Sequence, residues 1–126
     1  MAKGLAKKMF PREFHIDSAG TDSETTGGAN FKAVNVMSEW GIDLTDHIAK
    51  SITDVAISEF DFVVAMDSHV FDSVIRKYPD MEDRTIQWQI DDPFYHPIGA
   101  YRSCADEIVQ NLRAFAVMLG LSELNG

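Results

Sequence analysis

One cysteine, Cys104, is all the thiol chemistry that 126 residues contain. Without a second thiol there is no intrachain disulfide, no zinc site built from several thiolates and no dithiol redox relay. A reducing cytoplasm is therefore the expected setting. Basic residues are also scarce, 11 against 20 acidic ones, giving a formal net charge of -9. The long-range field of such a chain opposes nucleic acid and anionic membrane surfaces, so neither is expected as a partner. No run of about 18 apolar residues is present, and MAKGLAKKMF carries lysines without an apolar stretch of signal-peptide length.

What is present suits one globular domain over residues 1–126, with 45% hydrophobic residues to build a core and no repeat, linker or low-complexity tract. Leu5 and Met9, with Ala2 and Ala6 among lysines, have helical spacing, and Pro11 ends that helix. FHIDSAG alternates Phe14 and Ile16 inward and predicts a strand. TDSETTGGAN is a polar loop, and its TTGG is a flexible turn rather than a phosphate-binding fingerprint. Phe31, Val34, Met37 and Trp40 predict a second helix from Asn30, with Gly41 at its C-terminal end. In the connection that follows, Ile42, Leu44, Ile48 and Ile52 are expected to reach the core.

FDFVVAM, residues 60–66, predicts a parallel strand buried on both faces. Asp67 and Ser68 can cap a helix through about Tyr78, with Val70, Phe71, Val74 and Ile75 as its buried side. TIQWQI, residues 85–90, alternates again, and a last helix runs from about Tyr101 to Leu119 with Ile108, Leu112, Phe115 and Leu119 inward. Strands alternating with helices imply an α/β protein whose site lies at the carboxyl ends of parallel strands. DSAG, AMDS and IDDP are those ends.

IDDPFYHP, residues 90–97, is the stretch with the most chemistry. Pro93 fixes its own φ and keeps Asp92 out of the helical region, so that an acid is held on a rigid loop beside the rings of Phe94 and Tyr95. An ordinary Asp-Pro turn would look the same. His15, His47, His69 and His96, taken with Asp67 and Asp92, show no ligand spacing on any one element, so no metal is expected. Trp40, Trp88 and the phenylalanines have core spacing, and Cys104 reads as a helix-face residue.

The order FHIDSAGT, GIDLTDHIAKSIT, FDFVVAMDSH, IDDPFYH and a C-terminal helix resembles the low-molecular-weight protein tyrosine phosphatase family, which includes a branch of arsenate reductases. The match covers nearly the whole chain. The resemblance implies a flavodoxin-like three-layer sandwich with a parallel sheet, and a C-x-x-x-x-x-R-[ST] phosphate loop between the first strand and the first helix. In the family that helix commonly opens with something like SPMAEGL, and this chain opens MAKGL. The implied domain is therefore incomplete at its N-terminus, its first and central strand missing along with the loop. Loss of a central strand exposes two edges, which raises a strand-supplying partner or a homodimer as an expectation.

Within the resemblance, Asp92 matches the general acid, with Asp91 auxiliary, and Phe94 and Tyr95 match the aromatic pair flanking the substrate ring. Ser18 and His47 match side chains that support the phosphate loop through an Asn of that loop. The intact family hydrolyses phosphate monoesters through a phosphocysteine, with no metal or cofactor, on a phosphotyrosine protein or a small aryl phosphate. That chemistry needs a thiolate stabilised by a helix N-terminus, by loop amides and by a fixed guanidinium. Cys104 has Gln110, not Arg, six positions on. These 126 residues are accordingly expected to be inactive, and the alternative is a non-enzymatic relative that uses the same rim to bind a protein or a phosphorylated ligand. A lone cysteine also argues against arsenate reduction by a thiol relay. TGGANFKA departs from the family in lacking prolines before the second helix.

Overall fold

Apolar spacing and capping residues place most of the helices. The computed structural model describes residues 1–21, 30–121 and 124. Among them the regular elements are α1 (Ala2–Met9), α2 (Phe31–Glu39), β1 (Val63–Ala65), α3 (Ser68–Lys77), β2 (Thr85–Gln87) and α4 (Ile98–Met118), with short 3-10 turns at Ile52–Asp54, Ile57–Glu59 and Pro79–Arg84. They fall in two compact units. One comprises Met1–Ser18, Gly27–Ile48 and Asp92–Gly126, and the other Ala19–Thr26 and Ala49–Asp91. Most of the polar TDSETTGGAN segment, with its TTGG turn, lies outside the described residues.

In the first unit α1 buries Leu5, Ala6 and Met9, and Phe10 turns extended ahead of Pro11 as a residue before proline must. α4 buries Tyr101, Cys104, Ala105, Ile108, Val109, Leu112 and Ala116, one stripe at three- and four-residue steps. α1 and α2 both lie against α4. Gly4 permits close approach on another side of α1: a Cβ there would stand 3.0 Å from Ile42 Cγ2 and 3.4 Å from Leu44 Cδ2. Phe10 stacks on Phe14 at 5.5 Å and meets Phe115 edge-on at 6.1 Å.

The N-terminal cap of α2 is Asn30, whose side-chain oxygen accepts from the Lys32 amide at 2.8 Å. At its other end Gly41 adopts φ +76°, the Gly41 amide donates to Ser38 O and the Ile42 amide to Met37 O. This is a Schellman closure, and it uses the glycine because a Cβ is disfavoured at that φ. Lys8 Nζ donates to the Trp40 carbonyl, placing a cation at the negative end of α2. Arg102 grips Glu39 through two nitrogens, at 2.8 and 3.0 Å, and the hydrogen bond holds the Glu39 carboxyl below its ordinary pKa. Both partners face water, so the pair sets register more than stability.

The second unit is a β–α–β arrangement. β1 and β2 pair in parallel with Val63 opposite Thr85, Val64 opposite Ile86 and Ala65 opposite Gln87. The pairing runs on through Trp88 N to Ala65 O and Ile90 N to Met66 O. α3 connects the two strands, capped by Asp67, whose Oδ1 accepts from the Val70 amide at 2.8 Å. Ile52, Ile57, Val74 and Met81 form a core, with Val63, Val70 and Tyr78 packed against it.

Several expected burials differ. FHIDSAG carries no ladder among the described residues beyond the Gly20–Ser51 bridge, because a strand is made by its neighbour's hydrogen bonds and not by alternation. Phe14 is accordingly exposed. β1 is shorter than residues 60–66, and Phe62 is 40% exposed rather than enclosed on both faces. α2 turns Ala33, Val36 and Met37 inward, leaving Phe31 68% exposed, since two parallel stripes of helical spacing were available and bulk does not choose between them. Ile48 is exposed while Leu44 and Ile52 are buried.

Leu5→Ala should lower the unfolding free energy by about 2–5 kcal/mol in urea titration, the usual cost of emptying a filled core position. Val117→Ala, on the exposed side of α4, should change it by no more than about 0.5 kcal/mol.

Candidate active site

Residues 92–97 join the end of the second unit to α4 by a short, internally bonded turn. The Phe94 amide donates to Asp92 Oδ1 at 3.0 Å, an Asx turn that fixes the carboxylate on its own backbone. The His96 amide donates to Pro93 O at 2.9 Å and closes a second turn, with Phe94 and Tyr95 at its centre. Tyr95 takes φ +72°, a conformation that bulky residues rarely adopt and that marks local strain. The geometry turns both rings outward. Tyr95 is 92% exposed and Phe94 47%, and the rings meet edge to face with centroids 4.3 Å apart.

Tyr101 lies near the start of α4 and is buried. Burial pushes its phenol above the ordinary tyrosine pKa, and the negative charges of Asp92 and then Cys104 push it further. Asp92 is thus an exposed acid whose charge is felt by a buried phenol in the same unit. Lys32 Nζ reaches the turn from α2 and donates to the His96 carbonyl at 2.8 Å.

Ser18 and His47 belong to this unit as well, both half-buried. The Ser18 amide donates to Asp17 Oδ1 at 2.8 Å, and the same oxygen takes Lys3 Nζ at 3.2 Å, tying the segment to α1. The His47 amide donates to Leu44 O at 3.1 Å. Asp67 and Asp91 fall in the other unit, where Asp67 is used as a helix cap. Of the polar strand ends expected to share a rim, Ser18 and Asp92 therefore lie in one unit and Asp67 in the other. Among the described residues no three His, Cys, Asp or Glu side chains gather to hold a metal ion, and no helix is long and apolar enough to cross a membrane.

Tyr101 and Lys32 are two further residues that bear on the turn. Tyr101 could have been suspected from its place just after the acid loop, at the entry to a helix. Lys32 gave no comparable signal, since its partner is a backbone carbonyl.

Residues 1–125 match the family model described as low molecular weight phosphotyrosine protein phosphatase. An arsenate reductase of Brevibacillus brevis is 31% identical over 116 residues, which cover 92% of this chain and 83% of that protein. Among solved structures, the YwlE arginine phosphatase from Geobacillus stearothermophilus has a TM-score of 0.81 at 25% identity, covering 94% of this chain and 82% of that one. Vibrio vulnificus Wzb in complex with benzylphosphonate has a TM-score of 0.84 at 20% identity, covering 93% and 87%. The fold is thus the flavodoxin-like α/β fold shared with these structures.

Asp92→Asn should lower the Tyr101 phenol pKa while leaving the upward shift due to burial. Phenolate absorbance against pH, in a background carrying Tyr78→Phe and Tyr95→Phe, reads this directly. An unchanged or raised value would show that the Asp92 charge does not reach Tyr101.

Proposed function

Because this chain belongs to the low-molecular-weight phosphotyrosine protein phosphatase family, we propose that Asp92 is the proton donor of an aryl phosphate site and that Phe94 and Tyr95 flank the substrate ring. The observation that carries this is the Asx turn. With Oδ1 committed to the Phe94 amide, Oδ2 is the oxygen left to carry a proton to a departing phenolate. The exposed ring pair beside it offers stacking surface to an aromatic leaving group. Capture of benzylphosphonate, an aromatic phosphonate, by the structural neighbour Wzb fits the same substrate class. Phosphotyrosine on a protein and small aryl phosphates share it.

In this proposal the 126 residues supply the acid and the aromatic wall but not the nucleophile. Cys104 is buried on α4 with Gln110 six positions on, far from what a phosphate-gripping thiolate requires. Proton donation alone has no phosphoryl group in place to assist. For Ser18 and His47 the proposed role is that of polar groups beside the acid turn. The exposure of the Phe94–Tyr95 pair favours a second reading, in which it binds a protein or a phosphorylated ligand without chemistry. Arsenate reduction, named for several relatives, is opposed by the single cysteine. The setting we propose is cytoplasmic. We further propose that a strand from a partner or a second copy joins the β1–β2 sheet.

The 126-residue chain should show no turnover of p-nitrophenyl phosphate above a denatured control, with or without Cys104→Ser; turnover would refute its inactivity. Joining a strand and C-x-x-x-x-x-R-S loop from a family member ahead of Met1 should confer hydrolysis. In that fusion Asp92→Asn should lower kcat by about 10² to 10⁴ on phenyl phosphate, whose leaving group needs a proton, and by less on the nitrophenyl ester. Equal loss on both esters, or none, would remove Asp92 from the donor role. Sedimentation should reveal a species larger than a monomer, and a stable folded monomer would dispose of the strand-sharing idea.

A further inference from the structure

Lys32 lies in the first turn of α2, a place where helix electrostatics disfavour a cation. Its position is explained by what the side chain reaches. Nζ donates to the carbonyl of His96 at 2.8 Å, across 64 positions of sequence, and lies 5.9 Å from the ring centroid of Phe31 and 6.0 Å from that of Tyr101. Both distances fall at the outer limit of cation–π attraction, so the rings bracket the ammonium without binding it tightly. The Asn30 cap fixes the backbone from which the stem departs.

The remaining bonds of the acid turn are internal to it: Phe94 N to Asp92 Oδ1, and His96 N to Pro93 O. Among the described residues, Lys32 makes the one hydrogen bond that reaches residues 92–96 from another element. A turn that holds Tyr95 at φ +72° tends to relax unless its ends are fixed. Asp92 begins this turn and His96 ends it, so fixing the His96 carbonyl limits how far the carboxylate can swing.

We propose that Lys32 is a positioning residue for the acid loop, tethering its far end to α2 so that Asp92 and the Phe94–Tyr95 pair keep one arrangement. This rests on the assignment of Asp92 as proton donor. A solvated lysine on a helix face would have no such effect. The distinction lies in the charged donor, because methionine keeps the apolar stem between the rings and loses only the ammonium.

Chymotrypsin cutting after Phe94 and Tyr95 reads the order of the turn in the 126-residue chain itself. Lys32→Met should be cut about tenfold faster than wild type, the effect of losing one charge-assisted bond. Lys32→Arg, which can still donate to a carbonyl, should be cut within about twofold of wild type. Thermal midpoints should agree across the three proteins. Equal cutting of Lys32→Met and wild type, or no recovery with arginine, would overturn the proposal. If the midpoint of Lys32→Met also fell, amide exchange would decide: faster exchange at Phe94 and His96 with Ile108 unchanged supports the tether, and a uniform increase refutes it. Cutting requires no turnover, so a failed tether leaves the donor role of Asp92 to the phenyl phosphate comparison, and a failed donor leaves the tether as measured.

Discussion

Seven side chains of α4, from Tyr101 to Ala116, are withdrawn from water, and the first unit is arranged around that withdrawal. α1 and α2 each present an apolar stripe to this helix, and neither is long enough to be stable alone in water. Because α4 begins at Ile98, directly after Pro97, fixing the helix also fixes where the acid turn must end. The residues of the turn therefore inherit their position from a hydrophobic constraint some distance along the chain. Tyr101 shows the link most directly, since its burial in that stripe places it where the charge of Asp92 is felt.

The chain announces its helices well and its sheet poorly. α1 stops before Pro11, α2 starts at Asn30 and closes at Gly41, and α3 is capped by Asp67, each as local chemistry requires. Such signals lie within a few residues of the feature they determine. Strands depend on distant partners, which explains why FHIDSAG alternates convincingly and yet shows only the Gly20–Ser51 bridge. Burial fails in the same way. Phe31 and Ile48 are apolar by composition but exposed, because which stripe of a helix or which residue of a connection faces inward is decided by the element opposite.

The same contrast divides the candidate site. The turn that carries Asp92, Phe94 and Tyr95 was legible because proline acts locally, and the structure closes it through the Phe94 amide. Tyr95 at positive φ was not legible, since nothing in a tyrosine favours it. Lys32 was invisible for a deeper reason. A lysine paired with a carboxylate can be guessed from charge pattern, whereas a lysine bonded to a carbonyl leaves no mark on its partner's identity. The helices of the first unit account for how the turn is held.

Cys104 lies at 7% exposure near the start of the α4 stripe, and no other sulfhydryl competes with it. A thiol reagent can reach it only when the helices around it part, so the speed of covalent labelling becomes a clock for those openings. The chain thereby carries an intrinsic reporter of such openings on α4, one that needs neither an introduced probe nor any enzymatic signal.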